Sequence, residues 1–205
     1  MSNYKEFQVN KNDLSKTRIM ELTTSPLQAG EVRAKIDRFA FTANNITYGV
    51  VGERIGYWKF FPASQPDLGR IPVMGYGEVV ASNHSDIKIG ERLWGFFPMA
   101  SHVEIHAGKV SSSGFYDISE YRAQLAPLYS YFERVANSPT YNKAFEDLDI
   151  LLRGLYTTAW LIEDFFFDNG YFGAQQYLIT SASSKTSIAL AHAIKKRHEK
   201  PTIGI

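Results

Sequence analysis

The chain has 205 residues, of which 44% are hydrophobic, with 22 Lys+Arg against 21 Asp+Glu, a net charge of +1 and no cysteine. That balance belongs to a folded chain of one large or two small domains rather than to a disordered one. It excludes disulfides, thiolate metal sites and a cysteine nucleophile, and it gives no global attraction to nucleic acid or an anionic membrane.

The first residues, MSNYKEFQVNKNDLSKTRI, are polar and carry no apolar h-region, so no signal peptide is read there. No apolar run approaches the roughly 18 residues of a membrane span. A soluble, cytoplasmic protein is expected. Aromatic residues reach 14%. Without positive charge to accompany them they read as core and seam rings, not as a base-stacking surface.

Residues 5–22 predict an N-terminal hairpin with Phe7, Val9, Ile19 and Leu22 as apolar positions and a turn over Asn10–Asp13. Glu31 to Asp37 alternates polar and apolar strictly, as a half-buried strand does. Phe39 to Gly56 reads as a loop with a short helical turn, followed by the aromatic run Tyr57–Phe61. Val73 to Ser82 predicts a strand whose Gly75 and Gly77 signal a bulge or a close backbone approach. Gly90–Phe96 and His102–His106 predict two further strands. Through about residue 110 the pattern is therefore all β, a small barrel or sandwich.

From Glu120 the period changes. Tyr129, Phe132, Val135 and Ala136 recur three to four apart and suggest helix. A longer helical tract is expected over 142–167, divided at Gly154 and stopped at Asn169-Gly170. Tyr177 to Ile205 then reads as strand, polar turn, helix and second strand, the opening of a nucleotide-binding βαβ unit. Its helix is placed over 187–199, with Ile188, Leu190, Ala191 and Ile194 as the buried stripe.

His102, Glu104 and His106 share one face of their strand. That row could ligate zinc, but it reads more simply as the solvent side of an edge strand, and no metal is expected. No nucleophile-elbow pattern accompanies the Ser, His and Asp residues, which disfavours a hydrolase.

Four segments carry a family resemblance. Glu31-Val32-Arg33-Ala34-Lys35-Ile36 resembles the "E-V-x-V-K-V" strand of the medium-chain dehydrogenase/reductase superfamily. Val73 to Val80 is similar to its "G-x-E-x-x-G-x-V" strand, and Ile87 to Gly95 to its "F-K-x-G-D-R-V-x-G". Leu155 to Trp160 resembles its "L-T-A-Y" helix. The turn Ser181-Ala182-Ser183-Ser184-Lys185-Thr186 resembles a branch defined only as a domain of unknown function.

The resemblance implies an α/β protein with an N-terminal all-β part. A GroES-like β barrel (1–128) would be followed by a helical crossing (129–170) and by the first strand–helix–strand of an incomplete Rossmann domain (171–205). The chain would be an N-terminal portion of a longer protein. It also implies a zinc-independent NADP(H)-dependent oxidoreductase of the quinone/enoyl-reductase type, since the zinc branch uses cysteines. The alternatives are a non-catalytic dinucleotide-binding relative and a truncated, non-functional fragment.

The related "A-x-x-G-x-x-G" turn places small residues at Ser181, Ser184 and Ser187. With Ser183, Lys185 and Thr186 these form the expected cofactor-binding set. Hydroxyls and a lysine would serve the pyrophosphate, provided that no positive φ is required, and Thr186 would cap the helix; the alternative is an ordinary strand-to-helix turn whose Ser and Thr only cap. No acid is visible at the end of the second strand, near Ile205, which favours NADP and leaves NAD open. In the loop after Phe39 the superfamily places substrate-side groups, here Asn45 and Thr47, with Tyr48 and Tyr57 as proton-donor candidates; simple packing of either tyrosine is the alternative. The expected partner is a small carbonyl or quinone-like substrate, without nucleic acid or membrane, and with homodimerisation left open.

Overall fold

The structure is a computed structural model and describes residues 3–198 and 200–204. The chain divides into two compact units, the first running to Glu146 and the second beginning at Asp147.

The first unit opens with β1 (Asn3–Asn10) and β2 (Asp13–Thr23), an antiparallel hairpin in register from Asn3↔Thr23 to Val9↔Thr17. Asn10 Oδ1 accepts from the Asn12 and Asp13 amides at 2.9 and 3.1 Å and closes the expected turn. Ile19 points to solvent, 68% exposed, instead of taking an inward position.

In β3 (Glu31–Phe39) Val32, Ala34 and Ile36 are buried at every second residue, as the alternation predicts. Helices α1 (Ala43–Val50) and α2 (Gly52–Ile55) and a 3-10 turn over Tyr57–Lys59 follow. A two-residue strand, β4 (Leu68–Gly69), pairs with β1. The remaining strands are β5 (Pro72–Ser82), β6 (Arg92–Pro98), β7 (His102–Gly108), β8 (Gly114–Asp117) and β9 (Tyr131–Arg134).

Strands β3-β5-β6-β9-β8-β7 form a closed antiparallel barrel. It closes because β7 pairs back onto β3, Glu31 facing His106 and Lys35 facing His102. Val32, Ala34, Val73, Val79, Leu93, Phe97, Ile105, Phe115 and Phe132 fill the interior and are inaccessible to solvent. Each of the larger ones contributes about 1.5–3 kcal/mol of burial free energy. Gly75 sits where a Cβ would overlap the Arg38 carbonyl oxygen, beside a register shift between Ile36 and Arg38. The glycine thus marks a close backbone approach, while the extra residue of the bulge is Asp37 on the partner strand.

Two expectations are corrected here. Residues 131–134 are a barrel strand, not part of a helix: Phe132 points into the core and its neighbours point away, while the apolar spacing around them comes from 3-10 turns at Pro127–Ser130 and Val135–Asn137. In addition, β7 has a partner on each side and is not an edge strand, although His102, Glu104 and His106 do face outward.

The chain leaves the barrel through a buried carboxylate. Glu146, whose side chain is fully buried, accepts from Arg92 Nε at 2.8 Å and Nη2 at 2.6 Å, and from the Tyr141 hydroxyl at 2.7 Å. Arg92 also donates to Asp37 at 2.6 Å.

In the second unit, α3 (Glu146–Asp168) runs through Gly154 without the expected division. It stops where expected, and Gly170, Tyr171, Phe172 and Gly173 follow with φ of 57, 49, 53 and 77°. Next come β10 (Gln176–Leu178), α4 (Lys185–Lys195) and β11 (Thr202–Gly204), with β10 and β11 parallel. The strand–helix–strand order is therefore as predicted. Ala159 of α3 packs with Ile179, Leu190 and Ile194. Ile188 is 60% exposed and does not belong to the buried stripe, where Ala193 takes its place. The predicted helix end at Glu199 and the residue Ile205 lie outside the described residues. Arg197 grips the buried Glu163 at 2.9 Å and stacks 3.8 Å over the Phe167 ring. The Tyr171 hydroxyl donates to the same carboxylate at 2.9 Å; burial and that negative charge push its phenol up to about 12.

Candidate functional site

The first unit assembles a tyrosine cluster. Helix α1 starts at Thr42, whose amide donates to Asn45 Oδ1 at 2.6 Å. The buried Asn45 amide nitrogen donates in turn to the Pro72 carbonyl at 2.9 Å. Asn45 is thus a strut that fixes the helix to β5. Thr47 is exposed, its hydroxyl 3.5 Å from the Ala43 carbonyl. One residue on, Tyr48 is half-buried and stacks on Tyr57, centroids 4.1 Å apart and planes 21° from parallel. Gly56, in the left-handed region at φ 80°, turns the chain so that Tyr57 comes under Tyr48.

Tyr57 has a second neighbour, Tyr129, whose hydroxyl is 3.3 Å from its own. Phe60 and Phe96 back the group, with Phe96 4.6 Å from the Tyr129 ring and edge-on to Phe60 at 5.4 Å. Burial, then the hydrogen bond with Tyr129, raises the Tyr57 phenol far above its ordinary range. Burial and the nearby Tyr129 also raise Tyr48, against opposing hydrogen bonds with Asn44 and Tyr57. Both phenols stay protonated at ordinary pH and so cannot act as a base; the same shift makes them weak acids, so their protons could pass only to a strongly basic oxygen such as an enolate or alkoxide. Sequence spacing groups Tyr48 with Tyr57 but misses Tyr129, which comes from a loop 72 positions away. Its signal in the sequence is the apolar spacing that suggests helix.

The second unit carries the polar turn. The Ile179 amide donates to the Gly204 carbonyl at 3.0 Å and prolongs the parallel pairing to the edge of the turn. Ser181 adopts φ 55°, so the turn does require a left-handed residue, and serine supplies it where glycine would be unstrained. Ser184, not Thr186, caps α4: its Oγ accepts from the Ser187 amide at 3.1 Å. The Ser184 hydroxyl then donates to Ser187 Oγ at 2.8 Å, and Ser187 donates to the Thr180 carbonyl at 3.1 Å. Those two hydroxyls serve the turn itself. Ser181, Ser183 and Lys185 are exposed and Thr186 is half-buried. The first-turn amides of α4 other than that of Ser187, the exposed Ser183 hydroxyl and the Lys185 ammonium are a donor set of the kind a pyrophosphate would need.

Among the described residues no group of three or more His, Asp or Glu is placed to hold a metal ion. Glu104, from the outward row on β7, is taken by Arg33 at 2.6 Å. No helix among the described residues is long and apolar enough to cross a membrane.

Solved structures with this fold include the human synaptic vesicle membrane protein VAT-1 homolog-like protein, at 12% identity and a TM-score of 0.53, covering 98% of this chain and 54% of that one. A protein from Bacillus thuringiensis assigned as an NADPH:quinone reductase matches at 12% identity and 0.53, covering 95% of this chain and 50% of that one. One from Mesorhizobium loti with the same assignment matches at 11% identity and 0.53, covering 100% and 55%. The chain spans about half the length of the structures it matches. The barrel is therefore of the GroES-like kind, and the second unit contains the opening strand–helix–strand of a Rossmann domain. No curated protein matches the sequence. Residues 39–205 match the family described as "Protein of unknown function (DUF2855)", and the chain belongs to that family.

Proposed function

We propose that the protein is a zinc-independent, NADP(H)-dependent oxidoreductase of the quinone/enoyl-reductase type. The observation that carries this reading is the turn between β10 and α4: a capped helix start with Lys185 and Ser183 exposed beside it, in a fold shared with proteins assigned as NADPH:quinone reductases. The α4 amides, Ser183 and Lys185 would hold the pyrophosphate of NADP; NAD is the lesser candidate. Once bound, the nicotinamide would supply the hydride. The chain's own contribution to chemistry is a proton held at the Tyr57 hydroxyl, kept there at ordinary pH by burial and by Tyr129. That proton would go to the enolate or alkoxide of a reduced carbonyl compound, a small quinone or enone, with Tyr48 stacked on Tyr57 to fix its ring. The setting would be the cytoplasm.

The test is turnover. NADPH oxidation, followed at its nicotinamide absorbance, is expected with at least one member of a panel of small quinones and enones, without added zinc and undiminished by a chelator. NADPH binding without turnover would make the protein a non-catalytic dinucleotide binder.

A further inference from the structure

Resting on the reading above, we propose that Tyr129 is the positioning residue of the tyrosine site, orienting the Tyr57 hydroxyl and returning a proton to it, and that the buried Asp117–Arg122 pair holds Tyr129 for that task. Tyr57 and Tyr129 both stand on short 3-10 turns, Tyr57–Lys59 and Pro127–Ser130, the second running directly into β9 at Tyr131, which pairs with Tyr116. Their hydroxyls meet at 3.3 Å, and a further element helps to set the second turn.

That element is Arg122. Its side chain is 1% exposed and its Nε lies 2.9 Å from Oδ2 of Asp117, which is 0% exposed. Asp117 is itself held, its Oδ1 accepting from the Ser119 amide at 3.0 Å and hydroxyl at 2.6 Å. Arg122 Nη1 donates to the Tyr129 backbone carbonyl at 3.2 Å. The guanidinium lies 4.6 Å over Phe61 and 5.7 Å from the centre of Phe60, and Phe60 stands edge-on to Tyr129 at 5.4 Å. One side chain therefore grips the backbone of residue 129 and braces the ring behind it.

A buried ion pair loses much of its attraction to desolvation, and apolar residues of equal volume would often stabilise as well. What the pair adds is a fixed geometry, here for a residue in irregular backbone. Within the proposed reaction, the Tyr57 O–H bond breaks as its proton joins the enolate or alkoxide. The Tyr129 proton then moves to the Tyr57 oxygen, and water restores the proton of Tyr129. Each turnover takes one proton from solvent and one hydride from the nicotinamide, and the two tyrosine hydroxyls end as they began.

The experiment uses the full chain carrying tyrosine labelled with ¹³C at Cζ, together with Tyr129→Phe, which removes one oxygen. The Tyr57 resonance is expected to shift in the variant without any cofactor present. With NADPH and an acceptor that the unmodified chain reduces, kcat is expected to fall about tenfold while NADPH affinity is unchanged. An unmoved Tyr57 resonance, or an unchanged kcat, overturns the proposal. If Tyr129→Phe does not fold, 3-fluorotyrosine at 129 keeps the hydroxyl and strengthens it as a donor, and the Tyr57 resonance must move with it. Should the unmodified chain reduce no acceptor, the proposed activity fails, and the resonance still decides whether Tyr129 positions Tyr57.

Discussion

Tyr57 stands between a stacked ring and a hydrogen-bonded one, and its phenol is raised by burial first and by Tyr129 second. Such a group is protonated throughout the ordinary pH range and is not a base; the proposed role for it is that of a proton donor. Replacing it with Phe is expected to lower kcat by about 100-fold with little change in dinucleotide affinity, as steady-state kinetics and a binding titration would show. Loss of affinity with kcat intact would assign Tyr57 to binding instead. A second prediction concerns Glu146. Burial alone would raise its carboxyl, but the hydrogen bonds from Arg92 and Tyr141 win and hold it below the reference value of 4.5. A depressed folded value means that this stability is present above the unfolded pKa and lost as pH falls through the folded one. Barrel stability, followed by circular dichroism in denaturant, is therefore expected to drop below about pH 4.5 and to do so less steeply in Glu146→Gln. At this scale the sequence is informative where side chains share a loop, as Tyr48 and Tyr57 do. It is silent about Tyr129, Asp117 and Arg122, because their meeting with the Tyr57 loop is a product of barrel closure.

Among the elements, those with a long regular signal were legible. Seven residues of alternation around Val32, Ala34 and Ile36 announce β3, and Gly75 announces the close approach of β5 to it. Strand β9 was not legible, because four residues leave too few alternations to outweigh the apolar spacing of the turns on either side. The start of α4 was misplaced by two residues because Ser184, Thr186 and Ser187 are all plausible caps by type; only the bond from the Ser187 amide to Ser184 Oγ selects among them. Ser184→Ala is expected to cost about 1 kcal/mol of stability in the second unit, read by thermal or urea unfolding. An equal loss in Thr186→Ala with none in Ser184→Ala would contradict the observed cap.

For the whole molecule, the order of parts was legible from the sequence: all-β first, then a long helix, then a parallel strand–helix–strand. That order follows from where hydrophobic period changes from two to three or four, a signal that survives even when single elements are misjudged. Function at this scale rests on the second unit's turn and its proposed dinucleotide. Ser181 holds a left-handed conformation that serine adopts at a cost of about 1 kcal/mol, which suits a turn whose shape matters more than its ease of formation. The most direct measurement is a fluorescence titration of the full chain with NADPH, alongside Lys185→Ala. Saturable binding, weakened roughly tenfold by the substitution while the fold is unchanged, is the predicted result. No binding of NADPH or NADH at millimolar concentration, or equal affinity in both proteins, would contradict the account.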